Sequence, residues 1–243
     1  MRDTVIKVED LTIAYHDKPV LWDIDLEIPK ASMTAVVGPN GAGKSTLIKS
    51  ILGLVPKSSG FVKVNNHDVK SELKNIAYVP QSGSVDWDFP TNVLDVVTMG
   101  TYGRLGWFKR PGKNEKKLAL EALEKVGMTE FRDRQISKLS GGQQQRVFLA
   151  RALVQDADIY FLDEPLKGVD ALTEKTIMTI LNNLRDEGKT IVVVHHDLRT
   201  VKTYFDQVVL LNVKVIAHGK VEEEFTDENI AKAYGYSRGD LDE

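Results

Sequence analysis

The sequence contains no cysteine, which excludes disulfide bridges and thiolate metal sites and fits a reducing cytoplasm. It has no surplus of positive charge: 32 lysines and arginines stand against 35 aspartates and glutamates, a formal net charge of -3. Nucleic-acid binders usually carry a clearly basic balance, so no nucleic-acid partner is expected. No apolar run approaches the ~20 residues that cross a bilayer. The first residues, Met1-Arg2-Asp3-Thr4-Val5-Ile6-Lys7, place charges where a signal peptide would need its apolar core. The chain is therefore expected to be soluble by itself, with any membrane role coming through a partner. Internal repeats and low-complexity stretches are also missing. What remains is an ordinary globular composition, 42% hydrophobic and 28% charged over 243 residues, enough for one large domain with a lobe.

Hydrophobic periodicity orders the chain. Val5 to Tyr15 and Val20 to Ile28 alternate as strands, and Met33 to Val37 is a short apolar strand ending in a glycine-rich loop. A helix is expected from about Lys44 to Leu54, then strands over Phe61 to Val64 and Ile76 to Val79. From Thr91 to about Gln155 the character turns helical. Val93, Leu94, Val96 and Val97 form one apolar face, and Leu118, Leu120, Leu123 and Val126 another. The Gly103 to Gly112 stretch between them reads as a loop from its glycine and proline content. Ile159 to Leu162 and Thr190 to Val194 are continuous apolar runs, as in strands buried on both faces. A helix from about Thr173 to Glu187 separates them, an order that favours a parallel sheet. Val208 to Leu211 and Val215 to Ala217 read as closing strands, and Asp227 to Tyr234 as a last helix. The expected organisation is an α/β core over residues 1–90 and 156–243 with a helical subdomain, 91–155, inserted into it.

Gly38-Pro39-Asn40-Gly41-Ala42-Gly43-Lys44-Ser45 fits the P-loop pattern and lies between a strand and a helix, as that motif requires. A triphosphate needs many short donors, and glycines let backbone N–H groups converge on it. The helix N-terminus adds partial positive charge. Lys44 would reach the β- and γ-phosphates, and Ser45 would bind Mg²⁺, with Thr46 next along the same turn. Ile159-Tyr160-Phe161-Leu162-Asp163-Glu164 is an apolar strand ending in two carboxylates. Asp163 could hold Mg²⁺ through water. Strand alternation would send Glu164 to the other side, where it could take a proton from an attacking water. Two acids after a strand are by themselves often only a turn. Adjacent His195 and His196 make a poor metal site, since neighbouring strand residues face opposite ways.

Leu139-Ser140-Gly141-Gly142-Gln143 should open a helix to about Val154, with its N–H groups and the Ser140 hydroxyl forming a second anion site. With this pentapeptide the chain resembles the ABC ATPase family over nearly its whole length. The resemblance implies an α/β fold of the P-loop NTPase type with an N-terminal antiparallel β portion. It implies ATP and Mg²⁺ as ligands, and a homodimer in which the signature of one subunit closes on the P-loop of the other. Tyr15 matches an aromatic that stacks on adenine, and Gln81 a glutamine that contacts Mg²⁺ and water and senses the transport partner. Asp170, in Gly168-Val169-Asp170, matches an interface loop for which the preceding Leu166-Lys167 is unusual. His196, before Asp197, matches the switch histidine that bonds the γ-phosphate and orients Glu164.

Pro80 to Pro90, with Asp86, Trp87, Asp88 and Phe89, is similar to the manganese, zinc and iron importers. Met99-Gly100, Tyr102-Gly103 and Gly106 to Pro111 are similar to the manganese branch. That kinship implies integral membrane permease subunits, an extracytoplasmic metal-binding protein, and a position on the cytoplasmic face of the membrane. Trp87, Phe89 and Trp107 serve equally well as anchors for a permease helix or as packing within the helical lobe. Asp86 and Asp88 read as a solvated pair and not as a cargo site. Rival readings are a non-transport ABC ATPase acting on DNA or ribosomes, a metabolic kinase or other P-loop enzyme, and an ABC exporter subunit. The first is disfavoured by the single P-loop without sustained heptads, the second by the signature. Zinc or iron remains open as cargo.

Overall fold

The computed structural model describes residues 3–15, 18–81, 90–105 and 109–235. Asp86, Trp87, Asp88, Phe89 and Trp107 lie outside the described residues. Along the chain run β1 (Thr4–Tyr15), β2 (Lys18–Pro29), β3 (Met33–Val37), α1 (Lys44–Ile51), β4 (Ser59–Val64), β5 (His67–Asp68) and α2 (Val69–Glu72). Then come β6 (Ile76–Val79), α3 (Val93–Thr98), α4 (Tyr102–Leu105), α5 (Lys113–Lys125), α6 (Gly141–Gln155), β7 (Ile159–Asp163) and α7 (Ala171–Asp186). The chain closes with β8 (Thr190–Val194), α8 (Leu198–Tyr204), β9 (Gln207–Asn212), β10 (Lys214–Lys220), α9 (Val221–Glu224) and α10 (Asp227–Tyr234). They form two compact units, Met1–Leu73 with Arg185–Glu243, and Lys74–Leu184.

The first unit holds an antiparallel sheet in the order β2-β1-β4-β5, built by the alternating strands. Its other strands centre on β3, which pairs in parallel with β8 on one side and β9 on the other, while β10 runs antiparallel to β9. Every residue of β3 and β8 is buried, which is why both read as largely apolar segments. The helix after β3 stops at Ile51, earlier than the apolar pattern suggests. Gly53 takes φ +69°, Leu54 N donates to Lys49 O at 2.8 Å and Gly53 N to Ser50 O at 3.0 Å. That paired arrangement satisfies the last carbonyls and ends the helix.

In the second unit β6 and β7 pair in parallel, Ile76 with Ile159 through Val79 with Leu162. Gln155 at the end of α6 donates Nε2 to Ile76 O at 2.7 Å, tying that helix to the strand. The apolar face of α5 matches expectation in part. Ala119, Ala122 and Leu123 are buried, with Val126 just beyond, whereas Leu118 is exposed. Alanines let neighbouring helices approach closely, so the buried stripe runs through small residues that a search for large ones overlooks. Tyr102 to Leu105 form the short helix α4 where glycine content suggests loop.

Candidate functional site

Residues with chemistry gather in both units. In the first, the buried strand β3 delivers the chain into the loop Gly38 to Gly43. Gly43 stands at φ +95°, and a Cβ there would lie 2.6 Å from Leu21 Cδ2 and 2.8 Å from Val20 O. Only glycine fits such a turn pressed on β2. The loop is pinned further by Ala42 N donating to Pro39 O (3.2 Å), Val213 N to Ala42 O (3.1 Å) and Leu47 N to Gly43 O (2.7 Å). Pro39 is partly covered and Asn40 exposed. Lys44 opens α1 with its side chain buried, and its Nζ donates to Gly38 O and Pro39 O, each at 2.8 Å. A cation folded over the loop in a low-dielectric setting attracts anions more strongly than one in water. Ser45 and Thr46 follow in the first turn, which has no acidic residue to oppose an anion.

Tyr15 ends β1 and is half exposed. Two histidines follow β8 with opposite fates. His195 is buried, its Nε2 2.7 Å from Thr200 Oγ1 and its ring 5.1 Å from that of Phe205. The Thr200 hydroxyl donates to Asp197 O (3.0 Å), which assigns the proton on His195 to Nε2. His196 is exposed. Asp197 caps α8 through Arg199 N and holds the Arg199 guanidinium at 2.9 and 2.8 Å. That pairing lowers the Asp197 pKa and raises the Arg199 pKa.

In the second unit Asp163 ends β7 fully buried. Glu164 leaves the strand with φ +53°, a left-handed conformation uncommon for a side-chain-bearing residue. The two acids are thus separated by a backbone turn where the alternation of a continuing strand was expected. Gln81, 83 residues away in sequence, donates Nε2 to Glu164 Oε2 at 2.6 Å. Lys167 Nζ lies 2.9 Å from the same oxygen. Tyr78, on β6, keeps a buried hydroxyl without a hydrogen-bond partner among the described residues. Burial, then the negative charge of Asp163, pushes its pKa up to about 12. Sequence reasoning passed over Tyr78. Its one signal is a phenol in an otherwise apolar strand. Sequence reasoning also did not pair Lys167 with Glu164, a contact that depends on the turn at Glu164.

The signature segment starts α6 with a reciprocal cap. Ser140 Oγ accepts from Gln143 N at 3.3 Å, and Gln143 Oε1 accepts from Ser140 N at 3.0 Å. An accepting hydroxyl keeps its own hydrogen for a further acceptor, and the N–H groups of Gly141 and Gly142 point along the helix start. Gly142 faces Val169, since a Cβ there would sit 3.5 Å from Val169 Cγ1. Asp170 caps α7, accepting from Thr173 N (2.8 Å) and Thr173 Oγ1 (2.9 Å). Those two bonds hold its carboxyl below the usual range. The side chains of Gln143 and Asp170 are therefore engaged within their own turns.

Among the described residues no helix is long and apolar enough to cross a membrane. A family model described as ABC transporter matches residues 21–167. The chain is 62% identical over 230 residues to the zinc transport system ATP-binding protein TroB of Treponema pallidum, covering 95% of this chain and 86% of that one. It is 58% identical over 230 residues to the manganese transport system ATP-binding protein MntB of Bacillus subtilis, covering 95% and 92%. Among solved structures it is similar to an ATP-binding cassette dimer in a post-hydrolysis state bound to ADP and phosphate, at 29% identity and TM-score 0.77, covering 89% of this chain and 98% of that one. The glycine-built loop under Lys44, the capped Ser140 helix and the acids closing β7 are thus features of a known kind: the chain belongs to the ABC transporter family and has the fold of its nucleotide-binding ATPases.

Proposed function

We propose that this chain is the ATP-hydrolysing subunit of an importer for a divalent metal ion, manganese, and that it works as a homodimer under membrane permease subunits on the cytoplasmic face. An extracytoplasmic metal-binding protein delivers the cargo. The observation that carries the chemistry is the Gln81–Glu164 hydrogen bond beside the buried Asp163, in a chain that also carries the Lys44 loop. Gly38 to Gly43 cradle the phosphates, Lys44 neutralises the β- and γ-oxygens, and Tyr15 stacks on the adenine. Glu164 accepts the proton of the attacking water. His196 bonds the γ-phosphate and orients the water. Residues 91–155 act as the helical subdomain that presents the signature.

The donors assigned to Mg²⁺, Ser45 in the first unit and Asp163 and Gln81 in the second, are the hard oxygen ligands this ion takes. Gln81 donates its amide nitrogen to Glu164, and the other end of the same group is an oxygen, the kind of atom this ion takes. Mg²⁺ supplies neutralisation of charge on the β- and γ-oxygens. Ser140, Gly141 and Gly142 serve the nucleotide of the opposite subunit, donating the Ser140 hydroxyl and two helix-start N–H groups. Gln143 fixes the serine through the reciprocal cap, and Asp170 shapes the interface loop beside it. The dimeric cassette similar to this chain supports the homodimer.

The ion rests on kinship: a 58% identical relative is named for manganese transport, and a 62% identical one for zinc transport, which makes zinc the second reading. Cells lacking this subunit should fail to accumulate Mn²⁺ at low external concentration and recover with added manganese, with zinc content little changed. Elemental analysis of deletion and complemented cells decides it. A selective zinc deficit rescued by zinc alone would overturn manganese and leave the ATPase standing.

A further inference from the structure

Two donors converge on one carboxylate oxygen. Gln81 Nε2 at 2.6 Å and Lys167 Nζ at 2.9 Å both meet Glu164 Oε2. An oxygen of a carboxylate offers about two lone-pair directions, so an Oε2 holding both donors is withdrawn from proton transfer and fixes the orientation in which Oε1 could serve. A bond from an ammonium to a carboxylate is charge-assisted and holds its geometry more firmly than a neutral one.

The contact is built by the backbone. β7 stops at Asp163, Glu164 turns at φ +53°, and Lys167 N donates to Glu164 O at 3.2 Å. That tight turn returns residue 167 over the carboxylate of residue 164. The partners differ in access: the Glu164 side chain is 10% exposed and the Lys167 side chain 62%. The acid is sheltered and fixed, while the base stands in water and can swing away without opening the core. Two residues on, Val169 packs beside Gly142 at the start of α6, so a movement of the signature helix reaches this turn.

We infer that Lys167 is a positioning residue that clasps Glu164 together with Gln81 in a resting arrangement, and that hydrolysis accelerates when the clasp opens. This rests on the ATPase reading above. Exposed ion pairs are weak, so the restraint is worth roughly two- to five-fold in rate. It is a brake on idle turnover, easily released when the interface loop moves.

The test uses the purified full chain with Lys167→Met, which keeps the stem and removes the charge, and Lys167→Arg, which restores the charge. The expected result is a kcat for Lys167→Met raised roughly two- to five-fold over the unsubstituted chain, with KM for ATP unchanged. Lys167→Arg should return to the original rate, and Lys167→Met should add nothing in a Glu164→Gln background. A mere loss of packing would not speed turnover, and melting curves of both exposed-site variants confirm the fold. Unchanged or lowered kcat in Lys167→Met, or a Lys167→Arg that behaves like Lys167→Met, would overturn the clasp while a dead Glu164→Gln keeps the ATPase reading. Full turnover in Glu164→Gln would remove that reading and the clasp with it.

Discussion

Gly41 and Gly43 allow the steric design of the phosphate loop to be measured. Both stand at positive φ, +83° and +95°. Alanine at either position is forced into a left-handed conformation that costs about 1–2 kcal/mol. The surroundings then differ. A Cβ on residue 41 meets nothing within 4 Å, while one on residue 43 lies 2.6 Å from Leu21 Cδ2 and 2.8 Å from Val20 O. Overpacking against the buried Leu21 side chain and the Val20 carbonyl adds about 1–3 kcal/mol, and the backbone oxygen cannot rotate aside as a side chain would. Gly43→Ala should therefore be less stable than Gly41→Ala by about 1–3 kcal/mol, or roughly 2–12 °C in Tm at ~2–4 °C per kcal/mol for a chain of this size. Thermal denaturation and nucleotide titration are run together, because a loop that relieves the clash locally loses ATP affinity in place of stability. Leu21→Ala removes one of the two clashes, so a double-mutant cycle with Gly43→Ala should show favourable coupling of about 0.5–3 kcal/mol. Equal stability and equal ATP affinity of the two glycine variants, or zero coupling to Leu21, would refute the claim that the loop is pressed on β2.

Glu164→Gln should bind ATP and hydrolyse it roughly 10²–10⁴-fold more slowly, as read by phosphate release, since an amide cannot accept the water's proton. Lys44→Ala should weaken ATP binding and hydrolysis together, and an unchanged affinity in a titration would count against its phosphate role. Light scattering of the Glu164→Gln chain should give a dimer with ATP and mostly monomer without it, and a permanent dimer indifferent to ATP would contradict the shared site. Tyr78 has a pKa pushed up to about 12, whereas the unfolded phenol ionises near 10. Above pH ~10 the unfolded chain thus binds fewer protons than the folded one, and stability falls as pH rises toward 12 by at most about 2–3 kcal/mol. Tyr78→Phe, which also removes an unpartnered buried hydroxyl, should be as stable near neutrality and lose this share of the alkaline slope in denaturant titrations. An unaltered slope would show that the phenol ionises freely in the fold.

The strands were legible because burial wrote them in apolar residues. β3, β7 and β8 are covered along their whole length, and among them only Thr34 of β3 breaks into the apolar runs 33–37, 159–162 and 191–194. The loop between β3 and α1 was legible for a different reason: close approach to β2 at Gly43 leaves glycine as the only choice, so geometry becomes composition. The cap of α6 was legible because Ser140 and Gln143 stand three residues apart and satisfy each other. The α5 face was legible only in part: Leu123 and Val126 are buried as expected, but Ala119 and Ala122 complete the stripe, and their small size lets them escape notice. The short helix at Tyr102 to Leu105 escaped because glycine lowers helix propensity only by about 1 kcal/mol, which neighbouring structure can override.

What the sequence could least disclose is how one carboxylate is handled. Asp163 and Glu164 are adjacent, and alternation along a strand gives a simple reason for them to serve different ends. In the structure the strand is already over at Glu164, and a left-handed backbone does the separating. The difference has a consequence. A strand would have held Glu164 facing away from its successors, whereas the turn brings Lys167 back onto it at 2.9 Å and lets Gln81 reach it from 83 residues upstream. Neither contact follows from composition or period, because each depends on a φ angle that no residue type announces. A glutamate at φ +53° sits at a small standing cost. Replacing it by glycine would relieve that cost and remove the carboxylate, so the same position that is least favourable for the backbone is the one where the side chain is indispensable to the proposed reaction.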